Sequence, residues 1–399
     1  MSVRRVGILT AGGLAPCLSA AIGCFIRRYT SVAPEIEIIC YRHGYAGVLK
    51  RDFFVVDSGM RDVADRFFAF GGSAIGNSRV RLANAEDCAR RGLVKAGEDP
   101  QVVAAENLAK DGVDVLHTIG GDDTNTVAAQ LSALLSNGGY NMAVVGLPKT
   151  IDNDIMPIAQ SLGAETAARE TAHFFTHIVN ECTTSPRMLI IHEIMGRNCG
   201  WLNVASAIRY RNWLSQQKFV APAGLDSQRW DIHGVYIPEI EIDMQKEVER
   251  LRAVMERLGN VNLFVSEGAC LGTILKELER EGQEVPRDAF GHVKLDIVNP
   301  GKWFGEKLAS RICAEKILVQ KSGYFARSAP PCDEDLRLIH AFVDLAVDAG
   351  LEKRSGVIGG DCELGGVLSC IAFDRICGGK AFNCSEPSCR KLFADIGQS

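Results

Sequence analysis

The chain has 399 residues, of which 47% are hydrophobic and 23% charged, and its mean hydropathy is +0.04; this excludes disordered and membrane-spanning classes and leaves room for two domains. Its 44 Lys and Arg against 49 Asp and Glu give a net charge of −5. With the basic residues scattered, neither nucleic acid nor an anionic membrane is an expected partner.

Taken in chain order, strand-like apolar runs alternate with amphipathic ones. "RRVGILTA" predicts a strand, "APCLSAAIGCFIRRY" a helix and "EIEIICYR" another strand. The apolar stretch before the first glycines is too short for a signal peptide. "DVLHTIGG", "NTVAAQLSALLS" and "MAVVGLPK" repeat the strand, helix, strand order. After "TIDNDI" comes the long helix "SLGAETAARETAHFFTHIVNEC", then the strand "RMLIIHEIMG" and the helix "CGWLNVASAIRYR". Residues 243–260 place Met244, Val248, Leu251, Val254, Met255 and Leu258 on one helical face and stop at Gly259, before the strand "VNLFVSEGA". "WFGEKLASRICAEKIL" and "DEDLRLIHAFVDLAVDAG" read as two further amphipathic helices, separated by the turn-rich "SGYFARSAPPCDE". The pattern predicts an α/β protein of two Rossmann-like domains with mostly parallel sheets flanked by helices. The expected division is 1–153 and 154–399, with C-terminal segments crossing back to the first domain. Fourteen cysteines, spread out and without CxxC pairs, predict reduced thiols in a cytoplasmic protein; Cys377, Cys384 and Cys389 match no zinc spacing.

Four predicted strand ends carry unusual polar groups: "TAGGLAP" (10–16), "GGDDT" (120–124), "PKTIDND" (148–154) and "MGRNCG" (195–200). A GG turn before a helix cradles phosphate through backbone N–H groups, but glycine turns also close strands that bind nothing. "PKTIDND" packs Lys149, Thr150, Asp152, Asn153 and Asp154 together, and a solvated turn has no need of the lysine. Phosphoryl transfer to a hydroxyl does need such a set: a base for the alcohol proton, cations on the transferring oxygens and a carboxylate on Mg²⁺. The planar guanidinium of Arg197 suits phosphate.

In this order and spacing, "GGDDT", "PKTIDND", "MGR" and "VNLFVSEGA" resemble the pyrophosphate-dependent 6-phosphofructokinases. The resemblance implies a Mg²⁺-dependent, reversible transfer from pyrophosphate to the 1-hydroxyl of fructose 6-phosphate, in a cleft between the domains of a homodimer or homotetramer. It implies Gly13 and Arg79 at the donor, Asp122 on the metal, Asp152 as proton acceptor and Thr150 on the sugar. Met195, Gly196, Arg197, Glu267, Tyr324 and Arg327 would hold the sugar phosphate, with Arg197 also meeting charge in the transition state. The chain departs from the commoner pattern at Leu14, Cys17 and Ser19 in the first glycine loop. Arg187 stands one position off the usual spacing of an arginine supplied across a subunit interface. "PPCDED" stands where many relatives carry a histidine after Arg327.

Asp123 and Lys149 occupy places where ATP-dependent relatives have glycine. The resemblance sets Asp123 near the position of an ATP α-phosphate, where like charges about 4 Å apart cost roughly 4 kcal/mol at an effective dielectric near 20. Lys149 is then expected to partner Asp123 and to balance pyrophosphate. The alternatives are an ATP-dependent phosphofructokinase, a sedoheptulose 7-phosphate kinase, or a non-catalytic regulatory subunit of the same fold.

Overall fold

The computed structural model describes residues 3–287 and 293–398. Its strands, in chain order, are β1 (Arg5–Thr10), β2 (Glu37–Tyr41), β3 (Phe53–Val55), β4 (Val115–Gly120), β5 (Ala143–Pro148) and β6 (Met188–Ile194). There follow β7 (Gly234–Tyr236), β8 (Asn260–Ser266), β9 (Lys316–Lys321), β10 (Gly356–Asp361) and β11 (Val367–Ile371). They belong to two compact units, Met1–Ala167 with Arg327–Lys380, and Ala168–Ala326 with Ala381–Ser399.

The first unit is built on a seven-stranded sheet of order β11-β10-β5-β4-β1-β2-β3, parallel except for the edge strands β3 and β11. The central strands "VLHTIG" and "AVVGLP" are buried at every position, as a parallel sheet covered on both faces requires. On one face Leu9, Tyr41 and Leu116 pack with Val127 and Leu131 of the helix Asp122–Asn137. Elsewhere in the unit Phe25 and Tyr29 of the helix Leu18–Val32 meet His117, whose Nε2 lies 2.7 Å from the Tyr29 hydroxyl. Burial holds the His117 imidazole down to about 3, so it stays neutral in the core.

The sequence put a boundary at residue 153, whereas the first unit continues to Ala167. Bridges between Lys149 and Leu162, and between Ile158 and Asp361, tie this run to the first sheet. Asn153 turns the chain in the left-handed region (φ 54) and accepts hydrogen bonds from the backbone and hydroxyl of Ser161. Asp335, fully buried in "PPCDED", accepts hydrogen bonds from Gly163 N, Thr166 N and Thr166 Oγ1 at 3.2, 2.8 and 2.5 Å. It caps the start of the helix Ala164–Ile178. Asp335→Ala leaves these buried donors unsatisfied, and a loss of about 3 kcal/mol is expected. Thermal unfolding checks it: a melting midpoint equal to that of the wild type would remove the capping role.

The second unit holds an all-parallel sheet of order β7-β8-β6-β9. The helix Met244–Leu258 starts at Asp243, whose carboxylate accepts from Gln245 N and Lys246 N, and ends at Gly259 in the left-handed conformation (φ 74). Its buried Val248, Leu251 and Met255 pack with Leu263 and Val265 of β8 and with Phe304. The run "WFGEKLASRICAEKIL" divides between the helix Pro300–Leu308 and β9, an edge strand, and is not one helix.

Candidate active site

In the first sheet β5, β4 and β1 are neighbours, and the order of connection reverses between β4 and β1. Ligands of open α/β sheets collect beyond the carboxyl ends of strands at such a reversal. The three loops there are bound to one another. Ala11 N donates to Ile119 O (3.1 Å), Lys149 N to Gly120 O (2.8 Å), and Gly12 N to Ser78 O (3.0 Å). Gly12 has φ +88, a left-handed conformation that favours glycine, with Lys149 Nζ and Thr124 Oγ1 at ordinary contact distance from its Cβ position. Glycine thus lets the first loop turn at this position.

Lys149 is only 4% exposed, and its Nζ donates to Gly13 O at 2.5 Å. Burial brings its ammonium down to about 8; the nearby Arg79 charge works in the same direction, while Asp122 and Asp152 hold it up. Thr150 Oγ1 accepts from Asp152 N (3.2 Å) and donates to Asp154 Oδ1 (3.1 Å), which ties the run "TIDND" into a closed turn. Burial raises the Asp154 carboxyl above its usual range.

Asp122 and Asp123 open the helix Asp122–Asn137, with Gly121 as its N-cap. Asp122 is half-buried and abuts Gly378, where any Cβ would collide with its carboxylate. The expected Asp123–Lys149 partnership is not formed. Lys149 is buried beneath the first loop, whereas the exposed Asp123 carboxylate is held by Arg81, whose Nη2 lies 2.8 Å from each oxygen. Arg81 was missed in the sequence, although "SRVR" alternates its two arginines as an extended strand would. Arg79 reaches the first loop: its Nη2 would lie 3.7 Å from a Cβ on Gly13.

The unusual residues of that loop have structural work. Cys17 is the buried N-cap of the helix Leu18–Val32, and burial pushes its thiol up. Ser19 Oγ donates to Gly72 O (2.9 Å) and accepts from Ala74 N (3.1 Å). Leu14 lies 4.0 Å from where a Cβ on Gly72 would be.

In the second unit β8, β6 and β9 are neighbours, and Met195, Gly196, Arg197, Glu267 and Tyr324 all follow their carboxyl ends. Glu267 N donates to Ile194 O (2.8 Å), and Gly268 packs on the Arg197 carbonyl so closely that no Cβ fits. Gly196 has φ +130, a conformation that favours glycine. Met195 lies over Gly323, the first residue of the helix Gly323–Ser328 that carries Tyr324 and Arg327; Tyr324 is 72% exposed. Arg327 is counted with the first unit, where the chain returns to it. Arg197 Nε is buried without a hydrogen-bond partner among the described residues. Arg187, in the left-handed region (φ 51), donates from Nε to Cys313 O (2.5 Å) and from Nη2 to Ile312 O (3.2 Å), so its guanidinium braces its own chain.

No helix among the described residues is long and apolar enough to cross a membrane. The pattern of the family Phosphofructokinase matches residues 5–341. A pyrophosphate–fructose 6-phosphate 1-phosphotransferase of Methylotuvimicrobium alcaliphilum is 57% identical over 99% of this chain and 97% of its own length. The protein of the same name from Mastigamoeba balamuthi is 55% identical over the same shares. Among solved structures, a pyrophosphate-dependent phosphofructokinase of Nitrosospira multiformis has TM-score 0.71 at 17% identity, over 99% of this chain and 92% of that one, which establishes the common fold. With the family pattern spanning most of its length and relatives above half identity across nearly all of it, the chain belongs to the phosphofructokinase family.

Proposed function

We propose that the protein transfers a phosphoryl group reversibly from pyrophosphate to the 1-hydroxyl of fructose 6-phosphate, giving fructose 1,6-bisphosphate and phosphate. The observation that carries this reading is the buried Lys149 ammonium on Gly13 O, within the fields of Asp122 and Asp152, where three strand ends meet. The shared name of the relatives above half identity supports the same substrates.

Asp152 takes the proton of the attacking 1-hydroxyl as its oxygen bonds to phosphorus and the bridging P–O bond breaks, releasing phosphate. In reverse the same group returns the proton. Lys149, Gly13 and Arg79 receive the donor, and Thr150 orients the turn that carries Asp152. Met195, Gly196, Arg197, Glu267, Tyr324 and Arg327 hold the sugar phosphate, and Arg197 supplies fixed positive charge as the phosphoryl group moves.

Asp122 is the residue that would hold Mg²⁺, which when bound neutralises charge on pyrophosphate. Among the described residues no three His, Cys, Asp or Glu side chains cluster as a metal cage. That donor set fits Mg²⁺, which is commonly bound by one or two carboxylates together with phosphate oxygens and waters. The half-buried Asp122 carboxylate makes no side-chain hydrogen bond or ion pair within the described residues, and one of its oxygens packs against Gly378, so the other is the one a cation would meet.

We place the enzyme in the cytoplasm as a homodimer or homotetramer; sedimentation of an active monomer would contradict the assembly. Steady-state rates with fructose 6-phosphate and either Mg-pyrophosphate or Mg-ATP test the donor. Efficiency with pyrophosphate is expected to exceed that with ATP at least tenfold, and parity or the reverse order overturns the reading.

A further inference from the structure

Arg81 belongs to none of the motifs from which the phosphotransfer reading was built, yet its guanidinium grips Asp123 through Nη2 at 2.8 Å to both carboxylate oxygens. The pair lies at the first turn of the 16-residue helix Asp122–Asn137, with side chains 34% and 57% exposed. A helix start attracts anions. Asp123 places one there permanently. Left bare, that carboxylate would repel every anionic donor, pyrophosphate included, because the Lys149 ammonium lies on Gly13 O and forms no ion pair with it.

The route by which Arg81 arrives is also fixed. Ser78 forms a parallel bridge with Ala11 at the end of β1, so the run that follows is laid beside the first glycine loop. From it Arg79 reaches the Gly13 side and Arg81 reaches Asp123. One short extended run thus serves both the donor loop and the helix start.

We infer that Arg81 is the positioning counter-ion that sets donor specificity through Asp123. It fixes the carboxylate against the helix start and cancels its charge. The resulting neutral pair obstructs a donor longer than two phosphoryl groups while leaving pyrophosphate unopposed. This rests on pyrophosphate being the donor. It also revises how Asp123 discriminates, from charge repulsion to occupied space and an occupied helix end.

The test is a double-mutant cycle on the full chain: wild type, Arg81→Met, Asp123→Asn and the double variant. Each is assayed with fructose 6-phosphate and Mg-pyrophosphate, inorganic tripolyphosphate or Mg-ATP. The wild type is read first, and ATP preferred by the wild type would sink the donor reading itself. With pyrophosphate preferred, Arg81→Met is expected to lose at least tenfold in kcat/KM for pyrophosphate. The double variant should recover most of that loss and use tripolyphosphate at least tenfold better, relative to pyrophosphate, than the wild type does. KM for fructose 6-phosphate should stay within twofold throughout. Equal losses in Arg81→Met and the double variant, with unchanged donor ratios, would reduce Arg81 to a contact of the fold and overturn the inference. So would an Arg81→Met enzyme within twofold of the wild type on every donor.

Discussion

Asp152→Ser is expected to lower kcat for fructose 6-phosphate phosphorylation by about 10²- to 10⁴-fold, the range typical of a lost general base. The loss should appear equally in the reverse direction, where the group that accepted the proton must return it. KM for the sugar phosphate should change little, since Thr150 and the second-unit residues remain. The geometry explains why no neighbour substitutes. Asp154, two positions on, is tied to the Thr150 hydroxyl, and burial raises its carboxyl above the usual range. Asn153 is committed to Ser161. Full activity in Asp152→Ser, measured in both directions, would remove Asp152 from the chemistry.

Lys149→Met carries the second large effect, read most clearly in pH. In the folded protein the Lys149 ammonium titrates near 8, well below the ordinary lysine value of 10.5, so it is charged below that pH and neutral above it. The kcat/KM for pyrophosphate reports the free enzyme and should therefore fall as pH rises through about 8. Removing the side chain should cost roughly 10- to 100-fold at pH 7, in line with about 1.5–3 kcal/mol for a hydrogen bond to a charged group and 1.4 kcal/mol per tenfold. The descending limb should also disappear. Pyrophosphate itself titrates, but identically for both enzymes, so the difference between the profiles belongs to the protein. Coincident profiles would show that the Lys149 charge does not act on the donor.

Much of this was legible in the sequence. The buried strands β1, β4, β5, β6 and β8 announce themselves as mostly apolar runs ending in glycine or a polar turn, because a parallel sheet covered on both faces buries nearly every position. Those same ends hold nearly every proposed site residue. What stayed hidden follows from weaker local signals. The edge strand β9, "KILVQK", is exposed at both ends and continues a helical spacing of apolar residues. β10, "GVIGGD", has half its residues as glycine and joins β5 from far along the chain. The boundary at 153 missed the tie between Ile158 and Asp361 for the same reason. The family resemblance also paired Asp123 with Lys149, because both stand where ATP-dependent relatives have glycine. Which of them is buried is set by the packing of three loops, and that no window of sequence shows.

The late return of the chain to its first sheet matters during synthesis. Val144 N donates to Ser355 Oγ across 211 positions, and β10 then completes the outer edge of β5. A ribosome that has translated Gly13, Arg79, Asp122 and Lys149 has made every residue proposed to meet the donor, yet β5 still presents an unpaired edge. The stretch 168–326, which builds most of the other unit, emerges before that edge is closed. Open edges of parallel sheets are slow to pair and prone to pairing wrongly. Birth order therefore makes the sheet that begins first the one that finishes last, and the outer edge of β5 stays open until β10 emerges.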